Sequence, residues 1–299
     1  MKKLTFISLI LFCVATSISL KAQSFTGSLL WEVSGNGLKQ PSYIFGTHHL
    51  FSDNFLDSVP HLWEKYNMCQ QVIGEVHLNE IAKAPALLQA QMLLPDNENY
   101  ENFLTPQEYA TLDSLLINTL GAGLGQALGR YRPSVLALML TQSILSEVMK
   151  VNMAEHKPID LIIQEKAIQD NKNIAGLESA QDQLSALLNS SSNHSQAMSI
   201  ICLLEHKSEL VPELMQLNDL YRNAELNKFM DLNKNSVCAT SDKEMDIINK
   251  NRNDAWMKKL PAIITEQSSF IAVGCLHLVE KEGLLDQLHK LGYTVKAVK

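Results

Sequence analysis

The runs Tyr43-Ile-Phe-Gly-Thr-His-His-Leu50 and Phe270-Ile-Ala-Val-Gly-Cys-Leu-His-Leu278 each place a histidine three residues beyond a glycine that closes an apolar stretch. Gly46 leads to His49, and Gly274 leads to His277, 228 residues further on. A glycine at the end of a buried strand permits a positive φ and a tight exit. The histidine can then turn over the carboxyl edge of the sheet, where open α/β folds bind their ligands. Two such strands side by side would bring His49 and His277 together. Taken singly, each is better explained as an ordinary hydrogen-bonded histidine at a helix start; the duplication at two strand ends reverses that preference and favours a shared site.

A third element supplies a carboxylate. In the expected strand Gln71 to His77, alternation puts Ile73, Glu75 and His77 on one face, so a carboxylate and an imidazole emerge together at its carboxyl end. A glutamate in an apolar strand is costly unless it is paired or bound to a metal; the plainer alternative is an edge strand with its polar face in water. Histidines with a carboxylate suit zinc, manganese or a similar divalent ion, with one position left for water. Arg252 is the fourth candidate. It falls inside the apolar stripe Met245, Ile248, Ala255 and Trp256 of a predicted helix, where a guanidinium must find a carboxylate or a substrate anion, unless it snorkels to solvent. Glu178 and Glu75 are its natural partners. His48 is expected to point away from His49, and Cys275, with no activating neighbour, reads as a packing residue.

These side chains need strands that end together. Ser28 to Val33 and Ser42 to Gly46 read as strands about the turn Gly35-Asn-Gly37, Phe55 to Tyr66 as a helix, Ser268 to Gly274 as a strand, Lys281 to Leu291 as a helix and Tyr293 to Val298 as a closing strand. The middle is helical, with start signals at Thr105-Pro-Gln-Glu108, Arg132-Pro133 and Ser241-Asp-Lys-Glu244. The expected fold class is α/β: a central mixed sheet formed by the N- and C-terminal parts, with a large helical insertion at about 80–260. That insertion is interrupted by a core strand near 173–177.

Lys2 and Lys3 precede an apolar run to about Ile18, with Ala22 as a cleavage position, so residues 1–22 read as a secretory signal and 23–299 as a single domain. Cys13 follows Phe12 rather than a small residue, which argues against a lipoprotein anchor. No later run is long enough to span a bilayer. The expected location is exported, periplasmic or secreted. Loss of Lys2, Lys3 and Lys21 takes the formal charge from −7 to −10, which argues against nucleic acid as a partner. Cys69, Cys202, Cys238 and Cys275 match no zinc or redox spacing, and their pairing is open.

The motifs Phe-Gly-Thr-His-His-Leu, Gly-Glu-Val-His-Leu, Gly-Leu-Glu-Ser-Ala-Gln-Asp-Gln (176 to 183), Arg-Asn-Asp-Ala-Trp (252 to 256) and Val-Gly-Cys-Leu-His-Leu occur in this order along the chain. Together they resemble the TraB/PrgY/GumN family, which is related to the Tiki metalloproteases. The resemblance implies an α/β core with a helical insertion and a divalent-metal site of manganese, cobalt or zinc. It casts His49, Glu75 and His277 as metal and catalytic residues, and Glu178, Arg252 and Asn253 as substrate-contacting or supporting residues. The hydrolase reading of the residues adds Arg252 to the catalytic set, as an oxyanion or carboxylate contact, and His77 to the supporting one. Members of the family commonly carry Glu-x-Asp where this chain has Glu75-Val-His77, an exchange that could alter metal preference.

Two functions follow as expectations. The first is an exported metal-dependent hydrolase that cuts a peptide or protein substrate, the metal polarising the scissile carbonyl and lowering the pKa of a bound water. The alternative is a non-catalytic protein that holds a metal, a haem or a peptide in the same cleft, or a scaffold in which these residues serve folding alone.

Overall fold

Six strands, β1 (Leu30–Ser34), β2 (Ser42–Thr47), β3 (Gln71–Val76), β4 (Asn173–Glu178), β5 (Ser269–Gly274) and β6 (Thr294–Ala297), form one mixed sheet in the order β4-β3-β5-β2-β1-β6. The computed structural model describes residues 25–81, 84–150, 156–279 and 282–299; the expected signal segment lies outside them. Pairing is parallel across β4, β3, β5 and β2, and antiparallel between β2 and β1 and between β1 and β6. β5, from the C-terminal part of the chain, therefore lies between β2 and β3. All four parallel strands point their carboxyl ends at the same edge.

The apolar runs explain this order. β2 is buried at every residue and β5 at all but Gly274, as strands covered on both faces must be. The helix Ile159–Gln169 covers β3 and β4, burying Ile159, Ile163, Gln164 and Ala167. A second, mostly helical core gathers around Leu112, Leu116, Leu136, Leu140 and Ile200. It is built from the helices Pro106–Leu120, Pro133–Met149 and Asn193–Glu205. Thr105 and Glu108 close the expected capping box at the first of these.

Two helices depart from expectation. The single helix expected over Phe55 to Tyr66 is two, Asp53–Leu56 and Leu62–Met68. Pro60 lacks an N–H and disfavours helical backbone at Val59, and His61 turns left-handed at φ 59°. The helix capped by Ser241 and Glu244 widens into a π turn at Asp246–Lys250 before resuming as Asn251–Met257. Cys202 and Cys238 form a disulfide, leaving Cys69 and Cys275 free and buried. Among the described residues no helix is long and apolar enough to cross a membrane.

Candidate functional site

The Gly-x-x-His motifs lie on adjacent parallel strands, staggered by one residue: Gly46 pairs with Val273, and Thr47 with Gly274. Neither glycine has a positive φ. Space, not backbone freedom, demands them. A Cβ on Gly46 would stand 3.0 Å from Cys275 Cβ and 3.1 Å from its Cα, so the exit of β5 rests directly on β2. A Cβ on Gly274 would stand 3.2 Å from Glu75 Oε1, the same oxygen that accepts the Gly274 N–H at 2.7 Å.

Around that contact the strand ends are joined by one arginine. Arg252, near the start of the helix Asn251–Met257, donates through Nη2 to Glu75 Oε2 and to Glu178 Oε1, both at 2.5 Å. Its Nε donates to Glu178 at 3.1 Å, and its Nη1 to the Ile248 carbonyl at 2.9 Å and to His277 Nε2 at 3.0 Å. Trp256 lies under the guanidinium, 4.9 Å from its ring centre, and donates Nε1–H to Glu178 Oε2 at 3.2 Å. All four charged or imidazole side chains are nearly enclosed, at 7 to 13% exposure.

Asn253 sets the tautomer of His277. Its amide nitrogen donates to the carbonyls of His277 and Glu282, so its Oδ1 must accept the His277 Nδ1–H, at 2.7 Å. The lone pair of His277 is thereby left on Nε2, facing Arg252. Burial pushes this imidazole down to about 4, against the pull of Glu75, so it is neutral at physiological pH. Burial works to raise the Glu75 carboxyl, but His277, Arg252 and the Gly274 N–H outweigh it and hold the group at about 2. Burial also opposes charge on Glu178, while Arg252 and Trp256 favour it.

His49 stands apart from this knot. It is exposed, with Nδ1 3.4 Å from Asp160 Oδ1, and that carboxylate raises its pKa. His48, expected to point away, also lines the cleft. Its ring packs on Phe51 and Tyr221, and burial takes it down to about 4. His77 falls just beyond β3, where Nδ1 accepts the Asn79 N–H at 3.0 Å, and it is not among the residues lining the cleft. Cys275 is buried, and its thiol is pushed up to about 12.

The floor belongs to a cleft of about 560 Å³. Thr47, His48, His49, Glu75, Gln183, Arg252 and His277 form its polar side; Leu210, Leu214, Leu217, Phe229, Met230 and Leu232 form an apolar wall. The wall lies within the loop that the Cys202–Cys238 disulfide closes. A second cavity of about 470 Å³ also has Arg252 in its wall, with Glu178, Trp256 and Lys259.

Residues 29–297 match the family model of the TraB/PrgY/gumN family. The chain belongs to the TraB/PrgY/gumN family. No curated protein and no solved structure matches it. In this TraB/PrgY/gumN chain the family match covers all six strands, and with them every residue of the knot.

Two contributors were not anticipated from sequence. Gln183 donates to Glu75 Oε2 at 2.9 Å, and its position follows from the capping box of Ser179 and Asp182 that starts the helix Ala180–Leu188. Asp160, in the first turn of Ile159–Gln169, carries no local motif that marks it. As arranged, the three expected ligands do not fit a metal ion. Arg252 occupies the His277 lone pair and one Glu75 oxygen, while His49 faces Asp160. Among the described residues no group of three or more His, Cys, Asp or Glu side chains lies close enough to hold one.

Proposed function

We propose that the cleft is the active site of an exported hydrolase acting on peptide bonds, with His49, Glu75, His277 and Arg252 as its reacting set. The observation that carries this reading is convergence: the parallel strands deliver Glu75, Glu178, His49 and His277 to one edge, beneath a wall that can bury an apolar side chain. His49 is the group open to solvent. Asp160 Oδ1, 3.4 Å from Nδ1, favours a proton on that nitrogen and leaves Nε2 free to accept one from water. Export is supported by the Cys202–Cys238 disulfide, which persists in oxidising compartments. The divalent ion of manganese, cobalt or zinc expected at His49, Glu75 and His277 carries no step of this reading, because Arg252 occupies the His277 lone pair and one Glu75 oxygen, and His49 faces Asp160.

The test is a peptide-library digest by the chain from residue 23 onward, with and without added manganese, cobalt or zinc. Cleavage should fall by about 10²-fold or more in His49→Ala and in His277→Ala. Cleavage that is unchanged in both variants sinks the reading. One observation favours a non-catalytic binding role instead: both Glu75 oxygens and every Arg252 donor are already satisfied within the protein. Mass spectrometry of the natively purified chain, finding a retained metal, haem or peptide and no cleavage, would support that role.

A further inference from the structure

The turn that follows β2 fixes the tautomer of His48. Phe51 N–H closes this turn on the His48 carbonyl at 3.0 Å, and inside it the Leu50 N–H donates to His48 Nδ1 at 3.2 Å. A ring nitrogen that accepts a hydrogen bond carries no proton, so the proton of this imidazole is on Nε2. Packing holds the ring in place. Its centre lies 5.4 Å from that of Phe51, edge to face, and 5.1 Å from that of Tyr221, whose hydroxyl donates to the Gly46 carbonyl at 2.8 Å. His48 lines the cleft, and among the described residues its Nε2–H has no acceptor. Thr47, one residue earlier, also lines the cleft, and at 1% exposure its hydroxyl has no partner. Hydrogen-bonding groups left open beside a cleft are those that a ligand completes.

His49 offers the complementary atom. With Asp160 beside its Nδ1, its lone pair is on Nε2, so the exit of β2 carries an acceptor on one imidazole and a donor on the next. The cation of the floor is not free to play the donor. Arg252 spends its N–H groups on Glu75, Glu178, Ile248 and His277, and the Gly274 N–H is spent on Glu75.

We propose that His48 is a catalytic residue, whose Nε2–H receives the carbonyl oxygen of the peptide bond that His49 hydrolyses; this rests on the reading of the cleft as a hydrolase site. His49 Nε2 takes a proton from water as the water oxygen bonds to the carbonyl carbon, and the carbonyl π pair moves onto the oxygen that faces His48. When that pair returns, the C–N bond breaks and the proton on His49 passes to the departing amine, so a carboxylic acid and an amine leave and His49 is neutral again. A donor fixed in advance by a turn and two aromatic rings needs no reorganisation as charge develops on the oxygen. A neutral imidazole suits the task, because it donates a hydrogen bond without giving up its proton.

Two measurements on the chain from residue 23 onward test this. In the first, histidine is labelled with ¹⁵N, and the His48 ring signals are assigned by their loss in His48→Gln. The proton is expected on Nε2, and a proton on Nδ1 overturns the proposal whether or not the chain cleaves anything. In the second, steady-state kinetics are compared on one peptide cleaved in the library digest. His48→Asn can still accept the Leu50 N–H but has no donor as far out as Nε2. It should lose about 10²- to 10³-fold in kcat, with KM within about threefold of the wild type. His48→Gln, which carries an amide N–H to the Nε2 position, should lose less than about tenfold. Urea midpoints establish that the variants are folded; if His48→Asn is not, His48→Phe, which keeps a ring on Phe51 and Tyr221 and has no donor, takes its place with the same expected loss. A donor-less variant within about threefold of wild-type kcat, or equal losses with and without the donor, overturns the role of His48 and leaves the hydrolase standing. A wild-type chain that cleaves no peptide refutes the hydrolase and the catalytic role together.

Discussion

The Gly274 N–H donates to Glu75 Oε1 at 2.7 Å, tying the exit of β5 to the end of β3 across 199 residues of sequence. A Cβ at residue 274 would stand 3.2 Å from that oxygen, and the backbone there is ordinary, at φ −51°. Gly274→Ala should therefore disturb the contact without straining the chain. The expected cost is about 1 to 3 kcal/mol, as for other overpacked sites, read as a lower urea midpoint at constant slope.

Arg252 holds two buried carboxylates, and removing one member of such a cluster strands the rest. Arg252→Ala is expected to lose about 3 to 5 kcal/mol in chemical denaturation. Combining it with Glu178→Gln should recover part of the loss, because one stranded charge disappears. A single-variant loss under about 1 kcal/mol would show that the arginine only decorates the floor.

Acid should weaken the fold in two stages. Burial holds the folded pKa of His48 and His277 at about 4, below the ordinary 6.5, so between those values the unfolded chain binds more protons. Their contribution is complete above pH 6.5 and is lost as pH falls towards 4. Glu75, held at about 2 in the fold against an ordinary 4.5, adds a second loss between about pH 4.5 and 2. Urea midpoints measured from pH 8 to 3 check this, and His48→Gln should flatten the first stage; a profile level from pH 7 to 4 contradicts it.

The apolar wall of the cleft depends on a covalent tie. Cys202 and Cys238 close a loop with a separation of 36 residues, and Cys202→Ala with Cys238→Ala should cost about 2 to 4 kcal/mol. Thiol titration of the chain from residue 23 onward should find no reactive group in the native state. On denaturation without reductant it should find two, Cys69 and Cys275, both buried and both pushed up to about 12. Four thiols without reductant would contradict the disulfide.

Local pattern was enough to read the strands. Continuous apolar runs marked β2 and β5 as buried on both faces, and Thr105 and Ser241 marked helix starts, because both signals are written in a few neighbouring residues. The same logic named Glu75 and Glu178 as partners for Arg252: a charge inside an apolar pattern must be paired, and few opposite charges were placed to pair it. Glycine's role was not legible, since a conformational need and a steric one leave the same letter; only the approach of Cys275 and Glu75 separates them. Nor could the pattern show that Arg252 would spend every donor, that Asp160 would face His49, or that Cys202 would find Cys238. Each of these depends on ångström-scale distances between segments far apart in the chain. Such distances are set by how the whole core packs and by a π turn that shifts the helix register, so the tertiary structure alone decided whether the strand-end residues stand ready for a ligand or bind one another.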